Sequence, residues 1–135
     1  MKGSIHHIGL FTAKPEELIE FYTKKLGFAL LGTKVVSAYH MEQIFGLKRE
    51  SPVAKLKRQD VILELFSPGN IDSSLSGEFR PGLNHWGIEV ESEETFLAEM
   101  LPMGVDIFPV DFNGRIIHFI RDPDGNLIEI CESVK

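Results

Sequence analysis

The chain contains an internal repeat, and each copy predicts the order strand–helix–strand–strand–strand. Residues 5–10 (IHHIGL) near the start of the first copy are matched by residues 83–88 (LNHWGI) in the second. The final strand of each copy also matches, with residues 61–65 (VILEL) answered by residues 126–130 (NLIEI). Self-similarity of this kind indicates one supersecondary unit used twice. The repeat therefore predicts an α+β fold of two βαβββ modules in tandem.

The spacing of apolar residues places the elements of each module. A helix is predicted to open at Pro15 and end at Gly27, a short helix covers residues 39–47, and Ser92 caps the last helix, which Pro102 ends or kinks. The predicted strands cover residues 4–11, 28–37, 53–58, 61–66, 83–90, 105–112, 115–121 and 127–132. A segment rich in Ser, Gly and Pro separates the copies. We therefore predict a single domain over residues 1–135, with module 1 at 1–66, a linker at 67–82 and module 2 at 83–135.

Charge and composition exclude several classes of function. The formal net charge of −6 and the scarcity of basic clusters argue against nucleic acid or an anionic membrane as a partner. A single cysteine, Cys131, allows no internal disulfide and does not fit a cysteine-based metal site. No apolar run approaches the roughly 18 residues of a membrane span, and the N-terminus lacks the apolar region of a signal peptide. These features predict a cytoplasmic protein.

Four polar side chains interrupt apolar strands at equivalent places in the two copies. Glu129 alone would be explained by an exposed edge strand, because burying an unpaired carboxylate costs several kcal/mol. However, each copy supplies one histidine in its first strand and one glutamate in its last, namely His7 with Glu64 and His85 with Glu129. Strand alternation places these side chains opposite the apolar ones that would face the helices. Two imidazoles and two carboxylates suit a divalent ion such as Zn, Ni, Fe, Mn or Co.

The chain resembles the vicinal oxygen chelate superfamily, also called the glyoxalase/bleomycin-resistance/dioxygenase family, along nearly its whole length. The segments that carry the resemblance are residues 7–10 (HIGL), 21–22 (FY), 26–28 (LGF), 63–65 (LEL), 85–88 (HWGI), 119–126 (FIRDPDGN) and 128–129 (IE). The resemblance implies a half-open mixed β-barrel, with helices outside, around a divalent metal. It places the metal ligands at His7, Glu64, His85 and Glu129.

The ligand pattern separates the subclasses that the resemblance implies. Glyoxalase I-like lyases use His/Glu/His/Glu, which this chain matches, and methylmalonyl-CoA epimerases are similar. The resemblance therefore implies a metal-dependent lyase or isomerase that forms an enediolate from a small carbonyl compound, with Glu129 or Glu64 as the base. Two alternatives stay open. One is an extradiol-type dioxygenase using His7, His85 and Glu129, and the other is a non-catalytic small-molecule-binding (resistance) protein.

The substrate contacts are less determined by the sequence. Residues 39–47 are predicted either to cover the mouth of the barrel, with Phe45 contacting the substrate, or to form an ordinary surface helix. His118 is predicted either to face the substrate or to be a structural histidine. Similar proteins usually dimerise, so a homodimer is expected. The sequence leaves open the substrate, any thiol cofactor, the metal's identity and whether one site uses one chain or two.

Overall fold

The computed structural model describes residues 3–69 and 82–134, which fall into two compact units, Met1–Gly77 and Glu78–Lys135. Each unit contains one four-stranded mixed sheet with helices between its strands. The strand order of the first sheet is β1-β4-β3-β2, and that of the second is β5-β8-β7-β6. In each sheet the first and last strands of the module therefore pair at one side. This arrangement confirms the predicted α+β fold of two βαβββ modules.

The first unit contains four strands and two α-helices. The parallel pair is β1 (Ile8–Phe11) with β4 (Val61–Phe66), and β3 pairs antiparallel with β4 and β2. The remaining elements are α1 (Pro15–Glu20), a π-helical turn (Phe21–Lys25), β2 (Ala29–Val36), α2 (Ala38–Phe45) and β3 (Ser51–Arg58). The α2 helix lies between the second and third strands and is absent from the second repeat. It is capped by the Ser37 hydroxyl, which accepts a hydrogen bond from the His40 N–H at 3.2 Å.

The second unit repeats the topology without the additional helix. Its elements are β5 (His85–Val90), α3 (Glu93–Met100), a 3₁₀ turn (Leu101–Met103), β6 (Asp106–Phe112), β7 (Arg115–Arg121) and β8 (Leu127–Glu132). As predicted, the Ser92 hydroxyl caps α3, accepting a hydrogen bond from the Thr95 N–H at 3.2 Å. The α-helix ends at Met100, just before Pro102. Since proline removes the N–H that an interior helical turn requires, the chain changes there to the tighter 3₁₀ turn.

The first strand of each module is shorter than the sequence predicts. We predicted strands from Ser4 and Leu83, but β1 begins at Ile8 and β5 begins at His85. In the parallel register Ile8 pairs with Leu63, and β4 begins at residue 61, so little partner strand remains for the preceding residues. Without a partner, their backbone cannot continue the ladder. His7 therefore lies just before its strand, whereas His85 is the first residue of its own.

One helix of each unit packs on a face of its sheet. Helix α1 contacts β3 in the first unit, and α3 contacts β8 in the second. Apolar side chains alternate with polar ones along the central strands, so Leu63 and Leu65 are buried while Glu64 is only partly so. Ile128 and Ile130 are likewise buried on either side of Glu129. This alternation with period two leaves each glutamate on the face away from the core.

Most of the predicted linker, residues 70–81, lies outside the described residues. Of the helices in the described ranges, none has both the length and the apolar character required to cross a bilayer.

Candidate functional site

In each sheet, residues in direct register on neighbouring strands form a row of positions. The two rows that contain Glu64 and Glu129 lie at equivalent places, on the face opposite the buried residues. In the first sheet the row runs from β1 to β2 through Gly9, Glu64, Lys55 and Gly32. In the second sheet it runs from β5 to β6 through Gly87, Glu129, Phe119 and Phe108. Because residues in direct register share a face, each glutamate has a glycine on one side and a different type of neighbour on the other. The repeat thus holds at the glycine and the glutamate, and it diverges on the next strand, at Lys55 and Phe119.

A histidine stands beside the glutamate in each sheet. His7 Nε2 lies 3.4 Å from Glu64 Oε1, and His85 Nε2 lies 3.3 Å from Glu129 Oε2. The histidines are accessible, with side chains 45% and 41% exposed, while the glutamates are 14% and 28% exposed. Both pairs are therefore open to a ligand from the histidine side. Each sheet presents the same pair of donor groups in the same geometry.

Glycine at the centre of each first strand makes room for this pairing. Gly9 and Gly87 stand in register with the glutamates, and neither has a side chain that could separate the histidine from the carboxylate. The histidine two residues earlier, on the same face of the strand, therefore reaches the glutamate directly. At Gly87 the space is tight, because an added Cβ would come within 3.3 Å of the Cys131 sulfur.

Neighbouring side chains orient the two imidazoles. His85 Nδ1 lies 2.5 Å from the Asn84 side-chain oxygen, which can only accept a hydrogen bond. His85 Nδ1 therefore donates to this oxygen, and the contact turns Nε2 towards Glu129. His7 Nδ1 is 2.9 Å from a ring nitrogen of His6, so its Nε2 also points towards its glutamate. In a neutral imidazole with a proton on Nδ1, Nε2 carries a lone pair. A cation between this lone pair and the carboxylate would be held by both groups.

The distances within each pair suit two ligands of one metal ion. Bonds of about 2.1 Å at the tetrahedral angle place two donor atoms about 3.4 Å apart, which the observed 3.4 and 3.3 Å match. The donors are neutral imidazole and carboxylate, the set that Zn, Ni, Co, Mn and Fe accept. Within residues 3–69 and 82–134, however, no group of three such side chains is close enough to hold an ion. Each unit therefore offers two donors, which fit part of a divalent-metal site.

A cavity of about 180 Å³ adjoins Glu64 in the first sheet. It is lined by Leu31, Gly32, Thr33, Lys34, Val53, Lys55 and Glu64. The bulge in β2 between Leu30 and Gly32 sets Gly32 opposite Lys55. An added Cβ at Gly32 would meet no other atom within 4 Å, so the space beside Gly32 is not occupied by a neighbouring side chain.

Phe45 lies in an aromatic cluster on the same face of the first sheet as Glu64. Its ring centroid is 4.9 Å from that of Phe11 and 5.4 Å from that of Phe66. Phe11 and Phe66 stand in register on β1 and β4, two residues beyond Gly9 and Glu64. The α2 helix thus closes one end of this face with an apolar wall, while Phe45 stays 39% exposed.

His118 lies on the opposite face of the second sheet from Glu129. It is in register with buried Ile130, and its Nδ1 is 2.6 Å from the carboxylate of Glu93 at the start of α3. This position corresponds to the structural histidine of our two interpretations. The histidine and Glu93 are both partly buried, so they link the helix to the sheet rather than face a ligand beside Glu129.

Cys131 is two residues from Glu129 on the same strand face. Burial raises the pKa of its thiol, and the negative charges of Glu129, Glu89 and Glu93 raise the pKa further, against a smaller opposing effect of Arg115. The thiol is therefore protonated at neutral pH. Because the thiolate is the nucleophile, this environment does not activate Cys131.

Sequence reasoning missed the neighbours of the two glutamates. Lys55 is opposite Glu64, and Phe119 is opposite Glu129. The two-residue turn at residues 59–60 gave a usable signal, because it pairs Arg58 with Val61 and hence residue 55 with residue 64. Asn84, which orients His85, was detectable only as its neighbour in the sequence.

A family model described as the Glyoxalase/Bleomycin resistance protein/Dioxygenase superfamily matches residues 4–130. A comparison with curated protein sequences gave no match.

Solved structures of the same fold agree with that match. A glyoxalase family protein from Enterococcus faecalis is 26% identical, with a TM-score of 0.75 over 94% of this chain and 95% of that one. Glyoxalase I from Leishmania major, described as trypanothione-dependent, is 23% identical, with a TM-score of 0.71 over 97% of this chain and 87% of that one. TnmS3, an antibiotic-binding protein from a Streptomyces species, is 18% identical, with a TM-score of 0.68 over 98% of each chain. The last two likenesses concern the fold alone.

Proposed function

The chain belongs to the glyoxalase/bleomycin resistance protein/dioxygenase superfamily, and on that premise we propose that it is a divalent-metal-dependent lyase or isomerase. One observation carries the proposal. Both sheets place an imidazole nitrogen 3.3–3.4 Å from a glutamate oxygen, in the same register and on the face opposite the buried residues. Each pair brings together an imidazole and a carboxylate, the donor types that a divalent ion accepts.

The proposed ligands are His7, Glu64, His85 and Glu129. Each pair supplies one imidazole and one carboxylate, so a set of four requires two pairs to act on one ion. The proposal therefore predicts one ion per chain, whether the two pairs come from one chain or from two copies. A bound divalent ion would supply Lewis acidity, which polarises a carbonyl and acidifies the neighbouring C–H bond.

We assign proton transfer to Glu129. Its side chain is 28% exposed, twice the exposure of Glu64 at 14%, so it is the carboxylate more open to a substrate. In the proposed reaction Glu129 accepts a proton from the carbon next to the carbonyl. It then returns the proton to the adjacent carbon in an isomerisation, whereas in an epimerisation the other carboxylate, Glu64, gives a proton to the opposite face. His7 and His85 act as ligands and not as bases, since their Nε2 atoms face the glutamates.

The surroundings of the two pairs favour a small carbonyl compound as substrate. On the first sheet the rings of Phe11, Phe45 and Phe66 form an apolar wall beyond Glu64. On the second sheet Phe119 and Phe108 are stacked with centroids 5.6 Å apart, and the Phe119 ring is 5.9 Å from that of His85. These surfaces can exclude water from the reacting carbon, which strengthens electrostatic interactions at the site.

Solvent exchange tests the proposed chemistry directly. Nickel-loaded protein is incubated in D₂O with the hemithioacetal of methylglyoxal and glutathione, and separately with methylmalonyl-CoA. We expect deuterium at the carbon next to the carbonyl in product or recovered substrate, and no deuterium with the Glu129→Gln variant. Oxygen consumption with a catechol would instead identify a dioxygenase. Tight binding of a compound with neither exchange nor oxygen use would identify a binding protein.

A further inference from the structure

We propose that the cavity beside Glu64 binds a carboxylate of the substrate through Lys55 and Lys34. This inference rests on the proposed function and adds the class of substrate to it. The substrate would be a small carbonyl compound that carries an acid group on a short arm.

The cavity is small and lies directly beside a proposed ligand. Its volume of about 180 Å³ is bounded by strands β2, β3 and β4, with Glu64 in its lining. Pockets for drug-sized molecules occupy about 300–1,000 Å³. A cavity of this size suits one short substituent of a substrate held by its carbonyl end near Glu64.

The two lysines of the cavity have no partner in the described part of the chain. Neither Lys55 nor Lys34 makes an ion pair or a side-chain hydrogen bond to another described residue. Lys55 is partly buried, in register with Glu64 on one side and Gly32 on the other. Lys34 is exposed, and an anionic ligand in the cavity would give both ammonium groups a charged partner.

Lys34 and Lys55 line the same cavity. Lys34 is paired with Val53 on the neighbouring strand, and Lys55 follows Val53 by two residues, so the three positions share one face of the sheet. Against these two positive charges the cavity lining contains one carboxylate, that of Glu64. If the Glu64 carboxylate binds the metal ion, the two lysine charges in the cavity remain available to a second anion.

The second sheet lacks this arrangement at the equivalent positions. Where the first sheet has Lys55 and Gly32, the second has Phe119 and Phe108, whose rings lie 13° from parallel and fill the row. The second unit also has a cavity of about 250 Å³ beside Glu129, but its lining sets one basic residue, Arg115, against the carboxylates of Glu93, Glu129 and Glu132. The cavity of the first sheet, with two lysines and one carboxylate, is therefore the better suited to an acid group.

Two probes that differ in one charge test the proposal. 2-Oxoglutarate has a 2-oxo acid end and a distal carboxylate, and its 5-methyl ester replaces the distal carboxylate with a neutral ester. Dissociation constants for both are measured by NMR titration or calorimetry, on metal-free and on nickel-loaded protein. The proteins are wild type, Lys55→Met, Lys55→Arg and Lys57→Met. Lys57 is the matched control, because it is exposed on the same face of β3 but does not line the cavity.

We expect wild type to prefer 2-oxoglutarate about tenfold or more, as for a hydrogen bond between charged groups. Lys55→Met should abolish the preference, Lys57→Met should retain it, and Lys55→Arg should restore most of it. An equal affinity of wild type for the two probes, or no binding of either, would overturn the proposal. An equal loss in Lys55→Met and Lys57→Met would also overturn it, because that result indicates overall charge and not the cavity.

The metal-free measurement separates this inference from the proposed function. If nickel does not bind but the preference depends on Lys55, the carboxylate site stands and the proposed enzyme activity fails. If nickel binds normally while Lys55→Met leaves the preference unchanged, the carboxylate site fails and the proposed activity stands.

Discussion

The two modules hold the same donor pair in the same register but surround it with different side chains. The histidine–glutamate distances differ by only 0.1 Å, at 3.4 and 3.3 Å. The residue opposite the glutamate is Lys55 in one sheet and Phe119 in the other. This difference teaches that the repeat determines the donor geometry, while the neighbouring strands are free to diverge. Under the proposed function the shared pairs are the metal ligands, and the unlike neighbours give each sheet its own surface beside them.

Replacement of each glutamate by glutamine should separate the two modules most strongly. If Glu129 is the base, Glu129→Gln should lower kcat by about 10²- to 10⁴-fold, the usual contribution of general base catalysis. Glu64→Gln should act mainly by weakening metal binding, so saturating nickel should restore more of its activity than that of Glu129→Gln. Steady-state kinetics over a range of nickel concentrations measures the difference. Equal, nickel-resistant losses in both variants would contradict the assignment of the base.

Truncation of the two unlike neighbours should affect stability unequally. Phe119→Ala removes a partly buried ring stacked on Phe108 and should cost about 2 kcal/mol, less than the loss for a fully buried phenylalanine. Lys55→Met leaves an aliphatic chain of similar length and should change the free energy of unfolding by about 0.5 kcal/mol or less. Urea denaturation of both variants provides the comparison. A larger loss for Lys55→Met would mean that the lysine is structural.

The turn before Glu129 and the turn before Glu64 also differ between the two modules. Asp122 is nearly buried, and its carboxylate accepts hydrogen bonds from the N–H groups of Asp124 and Asn126 at 2.9 Å and from the Asn126 side chain at 2.7 Å. Asp122→Ala should therefore destabilise the protein by about 1–3 kcal/mol. Asp60→Ala, in the two-residue turn of the first module, should cost about 0.5 kcal/mol or less. Thermal unfolding measures the stability lost in both variants. Equal losses would contradict a stabilising role for the hydrogen bonds of Asp122.

The smallest effect is expected at His118, on the covered face of the second sheet. His118→Gln should cost about 1 kcal/mol or less, because its contact with Glu93 is partly exposed to solvent. Its nickel affinity should equal that of wild type, in contrast to His85→Ala. Calorimetric titration of the two variants measures this, and weakened nickel binding in His118→Gln would contradict the placement of His118.

Local chemistry explains how much of this architecture the sequence could predict. The cap at Ser92, the stop near Pro102 and the turn at Asp122 each follow from the residue present, and strand alternation placed Glu64 and Glu129 opposite the buried residues. The two-residue turn before β4 also fixes Lys55 opposite Glu64, although this required counting the register explicitly. These features depend on residues close together in the sequence.

The cavity depends on the β-bulge in β2, whose position the sequence does not predict. Ala29 pairs with Lys57 and Leu30 with Leu56, so a regular ladder would place Leu31 opposite Lys55. The bulge shifts the register by one residue and brings Gly32 there instead. Gly32 inside the strand is the usual signal for a bulge, but a glycine alone does not determine where along the strand the register shifts.

Metal stoichiometry tests the central claim most directly. Protein purified without a histidine tag is titrated with nickel and with zinc, and the metal bound after dialysis is measured by elemental analysis. The account predicts one ion per chain in wild type and a large loss of affinity in both His7→Ala and His85→Ala, since each removes one of the four proposed ligands. Absence of uptake of either metal, or full uptake in His85→Ala, would contradict it.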